Sequence, residues 1–316
     1  IEDGVEFCFM EVSSHAIDQQ RIHGLNFDVG VFTNLSHDHL DYHNSFKKYR
    51  DVKKSFLNSL PKTSIALINV DDKNGLYMTQ NTKAKVFRYA LKSSADFSLK
   101  ILEKDFNGMK LLINGLEVWS KLIGEFNAYN ILATYSLSRA LNYTDELILD
   151  KISSLISADG RFEKVSYKNN IGVIDYAHSP DSVKKILETL NDLKNNEEHL
   201  ITVIGCGGDR DKAKRPLMGK IAASLSDKVI FTSDNPRFED PESIINQMES
   251  GVDKNDIKKV SKIIDRKKAI EYACQIAKEN DVILVAGKGH EKYQIKGSVK
   301  DKFDDKKTLI KSLKIK

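Results

Sequence analysis

Residues 28–43, DVGVFTNLSHDHLDYH, are the stretch that decides the fold. Their first eight residues form a short apolar run typical of a buried β-strand, and polar residues follow where that run ends. A second apolar run, EFCFMEV at 6–12, has a polar residue, Glu11, at its next-to-last position. Because ligands of open α/β sheets bind beyond the carboxyl ends of parallel strands, the sequence predicts a binding site there.

Apolar runs alternate with amphipathic patterns along the chain, which predicts an α/β fold. The clearest predictions are strands at 6–12, 28–35 and 64–70 and helices at 45–59 and 127–141. Short strands punctuated by Asn-Gly pairs are predicted over 85–123, and we expect them to form a small antiparallel sheet beside the parallel one.

A second alternating series follows the polar stretch that ends in Asp159-Gly160. We therefore predict two domains. Residues 1–158 form a parallel sheet with helices plus the small antiparallel sheet, and residues 159–316 form a Rossmann-like domain.

Composition excludes several classes of protein. The chain has 316 residues, 41% of them hydrophobic, and no run of 18 or more apolar residues, so a membrane span is not expected. The net charge of +4 is spread along the chain without a basic block interleaved with aromatics, which argues against nucleic-acid binding. Cys8, Cys206 and Cys274 show no paired spacing, which indicates reduced thiols in a cytoplasmic protein.

Eight motifs occur in a characteristic order. They are EVSSHAIDQQR at 11–21, NLSHDHLDYH at 34–43, GEFNAYN at 124–130, DGRFE at 159–163, DYAHSPDS at 175–182, GCGGDRDKAKRP at 205–216, SDNPRFEDP at 233–241 and AGKGHE at 286–291. Each is weak alone, but their joint order resembles the Mur ligases, the amide-forming ATPases of peptidoglycan synthesis. The resemblance runs along nearly the whole chain and is specifically to the type that adds meso-diaminopimelate.

The resemblance implies a magnesium site. It places Glu11 and His39 near an ion that bridges the substrate carboxylate and the γ-phosphate, and it makes Lys53 a carbamylated lysine that helps to hold this ion. The residues alone leave other readings open. A Glu at a strand end is often a cap or ion-pair partner. Lys53 could be an exposed helical lysine, and Lys54, one position later, could be the modified lysine instead. Counting from HLDYH selects Lys53.

The resemblance also assigns substrate and nucleotide contacts. Ser13, Gln19 and Arg21 match positions that contact the UDP-muramoyl peptide. Asn130 matches a residue that reaches adenine, and Arg161, Asp175 and His178 match residues that close over ATP, where Arg161 brings positive charge to the transferring phosphoryl group. Without the resemblance, Gln19 and Arg21 are surface residues, Asn127 and Asn130 are candidates for a helix N-cap, and Arg161 is a candidate for a hinge salt bridge.

A third set is implied for the incoming amino acid: Arg210, Asp234, Asn235, Arg237, Gly287 and Glu291. Two arginines suit a distal carboxylate and two acids suit a distal ammonium, as a zwitterionic diamino diacid requires. DNPR at 234–237 is typical of the diaminopimelate-adding type, whereas a simple Asn-Pro turn would not need Arg237. The glycines at 205–208 lack the Walker spacing, so we interpret them as a tight turn that presents Arg210.

The function expected from this resemblance is ATP- and Mg²⁺-dependent addition of meso-diaminopimelate to UDP-N-acetylmuramoyl-L-alanyl-D-glutamate by a monomeric enzyme. A Walker loop and a uridine-binding domain are absent from these residues, so we expect the chain to be truncated at its N-terminus, inactive alone and left with exposed apolar surface. The alternatives are a lysine-adding or folylpolyglutamate synthase-like ligase, and a noncatalytic scaffold descended from the family.

Overall fold

The chain folds into two units, each built on its own sheet, in a computed structural model that describes residues 4–36 and 40–315, without the side chains of Leu40 and Asp41. Unit 1 comprises the segments up to Leu102, Lys110–Trp119 and Asn127–Ser153. Unit 2 comprises Glu103–Met109, Ser120–Phe126 and the chain from Ser154 onward. Among the described residues, no helix combines the length and apolar character that crossing a membrane requires.

Unit 1 contains six helices and six strands among its described residues. The helices are α1 (Ser14–Asp18), α2 (Leu40–His43), α3 (Phe46–Ser59), α4 (Gly75–Met78), α5 (Glu125–Ala140) and α6 (Asp145–Ser154). The strands are β1 (Val29–Phe32), β2 (Ile65–Asn69), β3 (Lys85–Ala90), β4 (Phe97–Asp105), β5 (Gly108–Ile113) and β6 (Leu116–Ser120). They form one sheet in chain order, and β1 to β4 pair in parallel.

The strands predicted over 85–123 are β3 to β6, and they continue the parallel sheet instead of standing beside it. The predicted Asn-Gly hairpin is present between β5 and β6, where Asn114 and Gly115 have φ angles of 47° and 89°. Both residues take the positive φ that a two-residue type I′ turn requires. The Asn-Gly pair therefore predicted this turn correctly. It did not predict that β3 pairs with β2 and β4 in a single sheet.

The strand predicted at 6–12 is not formed, and this segment has neither helix nor strand structure. Its apolar side chains are exposed, with 53% of Phe7 and 78% of Phe9 accessible to solvent. β1 pairs with β2, and no described strand lies on its other edge. An extended segment without a neighbouring strand has no ladder to satisfy its backbone groups, so the apolar pattern alone did not make it a strand.

Helix α3 packs closely on β1. Its N-terminus is capped by the Ser45 hydroxyl, which accepts a hydrogen bond from the Lys48 amide at 3.2 Å. A Cβ added to Gly30 of β1 would lie 2.7 Å from Leu60 Cδ1, just beyond the helix, so glycine permits this approach. The buried face of α3 includes Tyr49 and Leu57.

Unit 2 is a doubly wound α/β unit. Its strands are β7 (Glu163–Tyr167), β8 (Asn170–Asp175), β9 (Leu200–Ile204), β10 (Lys228–Phe231), β11 (Val260–Lys262), β12 (Val282–Ala286), β13 (Tyr293–Lys296) and β14 (Val299–Lys302). Its helices are α7 (Pro180–Leu193), α8 (Lys214–Leu225), α9 (Pro241–Glu249), α10 (Arg266–Ile276) and α11 (Asp305–Ile315). The main sheet has the order β11-β10-β9-β12-β8-β7, with β7 antiparallel at one edge, while β13 and β14 form a small antiparallel pair.

This strand order creates a switch point in unit 2. The chain runs from β8 through α7 to β9, and β12 later fills the position between them. Helices α7, α8 and α9 cover one face of the sheet, and α10 and α11 cover the other. In such sheets the carboxyl ends of the strands beside the switch point border a ligand-binding crevice.

A buried ion pair joins α10 to α11 beneath this crevice. The Arg266 guanidinium donates to both Asp305 oxygens, at 2.8 and 2.7 Å, and to the Ala286 carbonyl at 2.9 Å. Both side chains have no exposed surface. A buried charge is costly unless it is paired, so each partner depends on the other.

We predict that Arg266→Met lowers the free energy of unfolding by about 3–5 kcal/mol, because it leaves the Asp305 carboxylate buried without its partner. Urea unfolding followed by circular dichroism measures this loss. Adding Asp305→Leu to Arg266→Met is expected to restore most of it. Lys267→Met is the matched control, because Lys267 pairs with Glu271 at the surface of the same helix. A loss of less than 1 kcal/mol in Arg266→Met contradicts the prediction.

Candidate functional site

A cleft of about 910 Å³ lies in unit 1 beside β1. Its lining includes Glu11, Asn34 at the carboxyl end of β1, and Lys53 of α3. The structure therefore brings Glu11 and Lys53, two of the predicted magnesium-site residues, to one cleft. His39, the third, lies outside the described residues. Among the residues that the structure does describe, no group of three or more His, Cys, Asp or Glu side chains has the geometry of a metal site.

Lys53 and Lys54 differ in their surroundings. Lys53 is half-buried at the cleft, with its Nζ 5.7 Å from the centre of the Tyr49 ring. Lys54 is buried and does not line the cleft. Its Nζ donates to Asn58 Oδ1 at 3.3 Å and lies 5.2 Å from the centre of the Tyr77 ring. The helix thus turns the two neighbouring ammonium groups in different directions.

The residues predicted for the muramoyl peptide flank α1, with Ser13 before it and Gln19 and Arg21 after it. Ser13 caps this helix, and its hydroxyl accepts a hydrogen bond from the Ala16 amide at 3.1 Å. Gln19 and Arg21 are exposed and joined, because Gln19 Oε1 accepts from Arg21 Nε at 2.9 Å and from Nη2 at 2.6 Å. The Gln19 amide also donates to the Tyr42 hydroxyl at 3.2 Å. Only Gln19 and Arg21 of this set contact each other.

Asn130 lies in the second turn of α5, with its side chain exposed. Its amide donates to Asn127 Oδ1 at 3.3 Å. Because α5 begins at Glu125, neither asparagine is an N-cap, and that alternative reading is wrong. The two asparagines form one polar surface on the helix.

Asp71 lies close to Asn130 in unit 1, and the sequence motifs did not indicate its role. Its carboxylate accepts hydrogen bonds from the Leu91, Lys92 and Ser93 amides and, at 2.8 Å, from the Tyr129 hydroxyl. Burial favours the neutral acid, but these hydrogen bonds outweigh it and lower the pKa of Asp71. The carboxylate therefore ties the loop after β3 to α5, next to Asn130.

In unit 2 the three residues predicted to meet ATP surround Tyr176. The Arg161 guanidinium lies 4.7 Å from the centre of the Tyr176 ring, and the His178 ring lies 4.6 Å from it. Asp175, at the end of β8, accepts hydrogen bonds from the Phe162 and Ala177 amides, both at 2.7 Å. Burial raises the pKa of Asp175 despite these hydrogen bonds. Arg161 forms no ion pair with the described residues, so the hinge salt bridge is not seen among them.

The residues predicted for the amino acid follow the carboxyl ends of three strands. Arg210 follows β9, Asp234 to Arg237 follow β10, and Gly287 to Glu291 follow β12. The Asn235 amide donates to Glu291 Oε2 at 2.8 Å. Gly287 has a φ of 115°, and a Cβ there would lie 2.6 Å from Asp234 Oδ2, so glycine is required. The sheet therefore brings this set together.

The two predicted arginines flank one glycine. A Cβ added to Gly207 would lie 3.0 Å from Arg237 Nη1 and 3.7 Å from Arg210 Cγ. Arg237 has a φ of 52°, and its Nη1 donates to the Gly208 carbonyl at 2.7 Å. Gly208 has no room for a side chain, because a Cβ there would lie 1.8 Å from the Pro236 carbonyl oxygen. Close packing of the two loops thus brings the side chains of both arginines beside Gly207.

A buried ion pair outside the predicted set holds these loops. The Arg215 guanidinium has no exposed surface and donates to both Glu239 oxygens, at 2.9 and 2.8 Å, and to the Gly207 carbonyl at 3.1 Å. Glu239 Oε1 also accepts from the Asp209 amide at 2.5 Å. The hydrogen bonds from Arg215 lower the pKa of Glu239 from 4.5 to about 2. Glu239 belongs to the SDNPRFEDP motif, but its partner Arg215 is 24 residues away in the chain, so the spacing within the motif does not indicate this ion pair.

Comparisons with known proteins identify the family of both units. The Mur ligase middle domain matches residues 1–137, and the glutamate ligase domain of Mur ligases matches residues 160–289. The chain is 52% identical, over 98% of its length, to the UDP-N-acetylmuramoyl-L-alanyl-D-glutamate--2,6-diaminopimelate ligase of Phocaeicola vulgatus, and 42% identical, over 97%, to that of Geobacillus kaustophilus. It spans 64% of the length of each relative.

A solved structure of a UDP-N-acetylmuramoyl-L-alanyl-D-glutamate--2,6-diaminopimelate ligase is also similar. It superposes with a TM-score of 0.64 at 35% sequence identity, and the match covers 99% of this chain and 66% of that one. The likeness therefore extends over both units of the chain.

We predict that Glu239→Gln lowers stability by about 3 kcal/mol at pH 7, because it leaves the Arg215 guanidinium buried without a charged partner. A carboxylate whose pKa is depressed on folding stabilises the protein above its unfolded pKa. The difference from wild type is therefore constant above pH 4.5 and shrinks as the pH falls toward 2. Urea unfolding between pH 3 and 7 measures it. A difference that grows toward low pH contradicts the assignment, and Glu242→Gln in α9 is the control.

Proposed function

We propose that this chain, which belongs to the Mur ligase family, forms part of an ATP-dependent ligase that joins an amino acid to a carboxylate. The substrates we assign are meso-diaminopimelate and UDP-N-acetylmuramoyl-L-alanyl-D-glutamate, which makes the product a peptidoglycan precursor. The observation that carries this proposal is the amino-acid site of unit 2, where Arg210 and Arg237 flank Gly207 and the two acids, Asp234 and Glu291, follow β10 and β12. The names of the similar proteins support the same substrates.

The proposed reaction has two steps. The D-glutamate γ-carboxylate attacks the γ-phosphorus of ATP, which gives an acyl phosphate and ADP. The diaminopimelate amine then attacks the acyl carbon, the C–O bond to phosphate breaks, and the nitrogen loses a proton as the amide forms. A carboxylate is a poor electrophile, and phosphorylation divides one difficult step into two easier ones.

Magnesium would be held in the cleft of unit 1 by Glu11, His39 and a carbamate on Lys53. Carboxylate and carbamate oxygens are hard donors of the kind that this ion prefers, and Glu11 and Lys53 line the same cleft. When bound, the ion neutralises charge on the phosphates. The position of Lys53 at the cleft and the buried, hydrogen-bonded position of Lys54 support the choice of Lys53.

The remaining roles are assigned within each unit. Asn130 contacts adenine, and Ser13, Gln19 and Arg21 contact the UDP-muramoyl peptide. The Gln19–Arg21 contact supports this assignment, because Gln19 holds the guanidinium by two of its nitrogens. In unit 2, Arg161 stabilises the charge of the transferred phosphoryl group, and Asp175 and His178 complete the nucleotide contacts.

In the amino-acid site, Arg210 and Arg237 bind the distal carboxylate, and Asp234 and Glu291 bind the distal ammonium. Guanidinium groups suit this role because their fork pairs with both carboxylate oxygens. Asn235 and Gly287 shape the site, and the positive φ of Gly287 lets Asp234 approach. An L-lysine side chain lacks the distal carboxylate and would leave both arginines unpaired.

We also infer a monomeric protein with a domain boundary near residue 158 and a cytoplasmic location. Cys206 and Cys274 are buried, and neither forms a disulfide with a described residue, which suits a reducing compartment.

We predict that the protein, purified as its complete natural polypeptide, releases phosphate from ATP and Mg²⁺ with UDP-N-acetylmuramoyl-L-alanyl-D-glutamate only when meso-diaminopimelate is added. L-Lysine is expected to give at least 100-fold lower kcat/KM, because it leaves both guanidinium groups unpaired. A preference for lysine contradicts the proposed specificity for meso-diaminopimelate but agrees with the proposed ligase activity. Release with neither amino acid contradicts the ligase and favours a noncatalytic scaffold. Arg237→Gln is expected to reduce the ratio of kcat/KM for meso-diaminopimelate to kcat/KM for L-lysine. Lys254→Gln, at an exposed position outside the site, is the control.

We predict that Lys53 carries a carbamate. With ¹³C-labelled bicarbonate, the NMR spectrum of the wild type should contain a carbamate carbonyl signal. Lys53→Arg should lose both this signal and at least 100-fold of kcat, because an arginine cannot supply carboxylate-like oxygens. Lys54→Arg is the matched control and should keep the signal. Loss of the signal in Lys54→Arg alone would assign the carbamate to the other lysine.

A further inference from the structure

We propose that Lys288 is the positioning residue of the amino-acid site and orders the side chains that meet the ammonium of diaminopimelate. This inference rests on the proposed function. Lys288 follows β12, and its side chain has no exposed surface. Its Nζ lies 2.8 Å from Asn235 Oδ1, 3.3 Å from Glu291 Oε2 and 3.7 Å from Asp234 Oδ1. All three partners belong to the set predicted for the amino acid.

The contacts form a closed network. Asn235 Oδ1 accepts from both Lys288 Nζ and the Ile295 amide, at 2.8 and 2.9 Å, and this fixes the orientation of its amide group. The Asn235 nitrogen must then face Glu291 Oε2, to which it donates at 2.8 Å. Glu291 Oε2 therefore receives two donors. No described residue makes a hydrogen bond to Glu291 Oε1, which leaves this oxygen available to a ligand.

The backbone directs Lys288 inward. The lysine stands between Gly287 and Gly289, whose φ angles are 115° and 51°. A Cβ at Gly289 would lie 2.6 Å from the Gly160 carbonyl oxygen, so this position also requires glycine. The turn therefore sends the one long side chain of its three residues beneath the site, where the Tyr293 ring centre lies 5.8 Å from Nζ.

Charge explains why a lysine occupies this position. Two carboxylates, Asp234 and Glu291, share the single ammonium of Lys288, so the cluster carries one net negative charge when all three groups are ionised. One further cation would neutralise it, and a substrate ammonium is such a cation. Without Lys288 the two acids would repel each other in a poorly solvated site and lose their fixed geometry. A residue needed only for packing would not require three polar partners.

The test compares Lys288→Met with wild type in the complete enzyme. Methionine keeps the length of the side chain and removes its charge and donors. We expect the KM for meso-diaminopimelate to rise 10- to 100-fold, in line with the usual effect of removing a residue that orients a binding group. The KM values for ATP and for the UDP-linked substrate are expected to change less than threefold. A diaminopimelate KM within threefold of wild type, or an equal rise in all three KM values, overturns the proposal.

Controls separate positioning from folding. Lys292→Met removes an exposed lysine from the same segment and should leave every KM unchanged. Lys288→Arg keeps the charge and should recover part of the affinity. A double-mutant cycle with Glu291→Gln should be nonadditive in the diaminopimelate KM, and additivity would contradict action through Glu291. If circular dichroism shows that Lys288→Met is unfolded, Lys288→Gln replaces it, and the same three KM values decide the outcome.

Failure of the proposed function has a different signature. It appears as no diaminopimelate-dependent phosphate release by the wild type. Failure of the inference about Lys288 appears as normal wild-type release together with a normal diaminopimelate KM in the variant.

Discussion

Buried cations that must be paired organise unit 2. Arg215, Arg266 and Lys288 are each at most 1% exposed, and each pairs with at least one carboxylate from a distant part of the chain. Removing one partner from such a pair costs several kcal/mol, so the segments that supply the partners cannot separate freely. The three pairs therefore tie the loops beyond β9, β10 and β12, together with α11, into one rigid edge of the sheet.

Close backbone approaches also hold these loops together. Gly208 packs against Pro236, and Gly287 packs against Asp234, at distances that exclude any side chain. Arg237 takes a left-handed φ of 52°, which costs about 1 kcal/mol or more for a residue with a Cβ. Its guanidinium contact with the Gly208 carbonyl fixes this conformation. Strain and close packing are thus concentrated at the two arginines of the proposed amino-acid site.

In unit 1, the packing of α3 places one of two adjacent lysines at the cleft and buries the other. The face of α3 that packs on β1 is set by Tyr49 and Leu57 and by the absence of a side chain at Gly30. Because neighbouring helical residues point about 100° apart, Lys54 is buried and hydrogen-bonded while Lys53 lines the cleft. Packing of the helix therefore decides which ammonium group reaches the proposed magnesium site.

The sequence by itself determined the alternation of strands and helices, the Asn114-Gly115 hairpin and the order of the motifs, because each depends on residues close together in the chain. The resemblance named the residues for the amino acid, and the sheet of unit 2 brings them together beyond β9, β10 and β12. The tertiary structure alone decided that 6–12 is not a strand, that β3 to β6 extend one sheet, and that Arg215, Glu239 and Lys288 support the site. Strand pairing and buried ion pairs join residues far apart in sequence, and local patterns carry no information about which distant partner will be present.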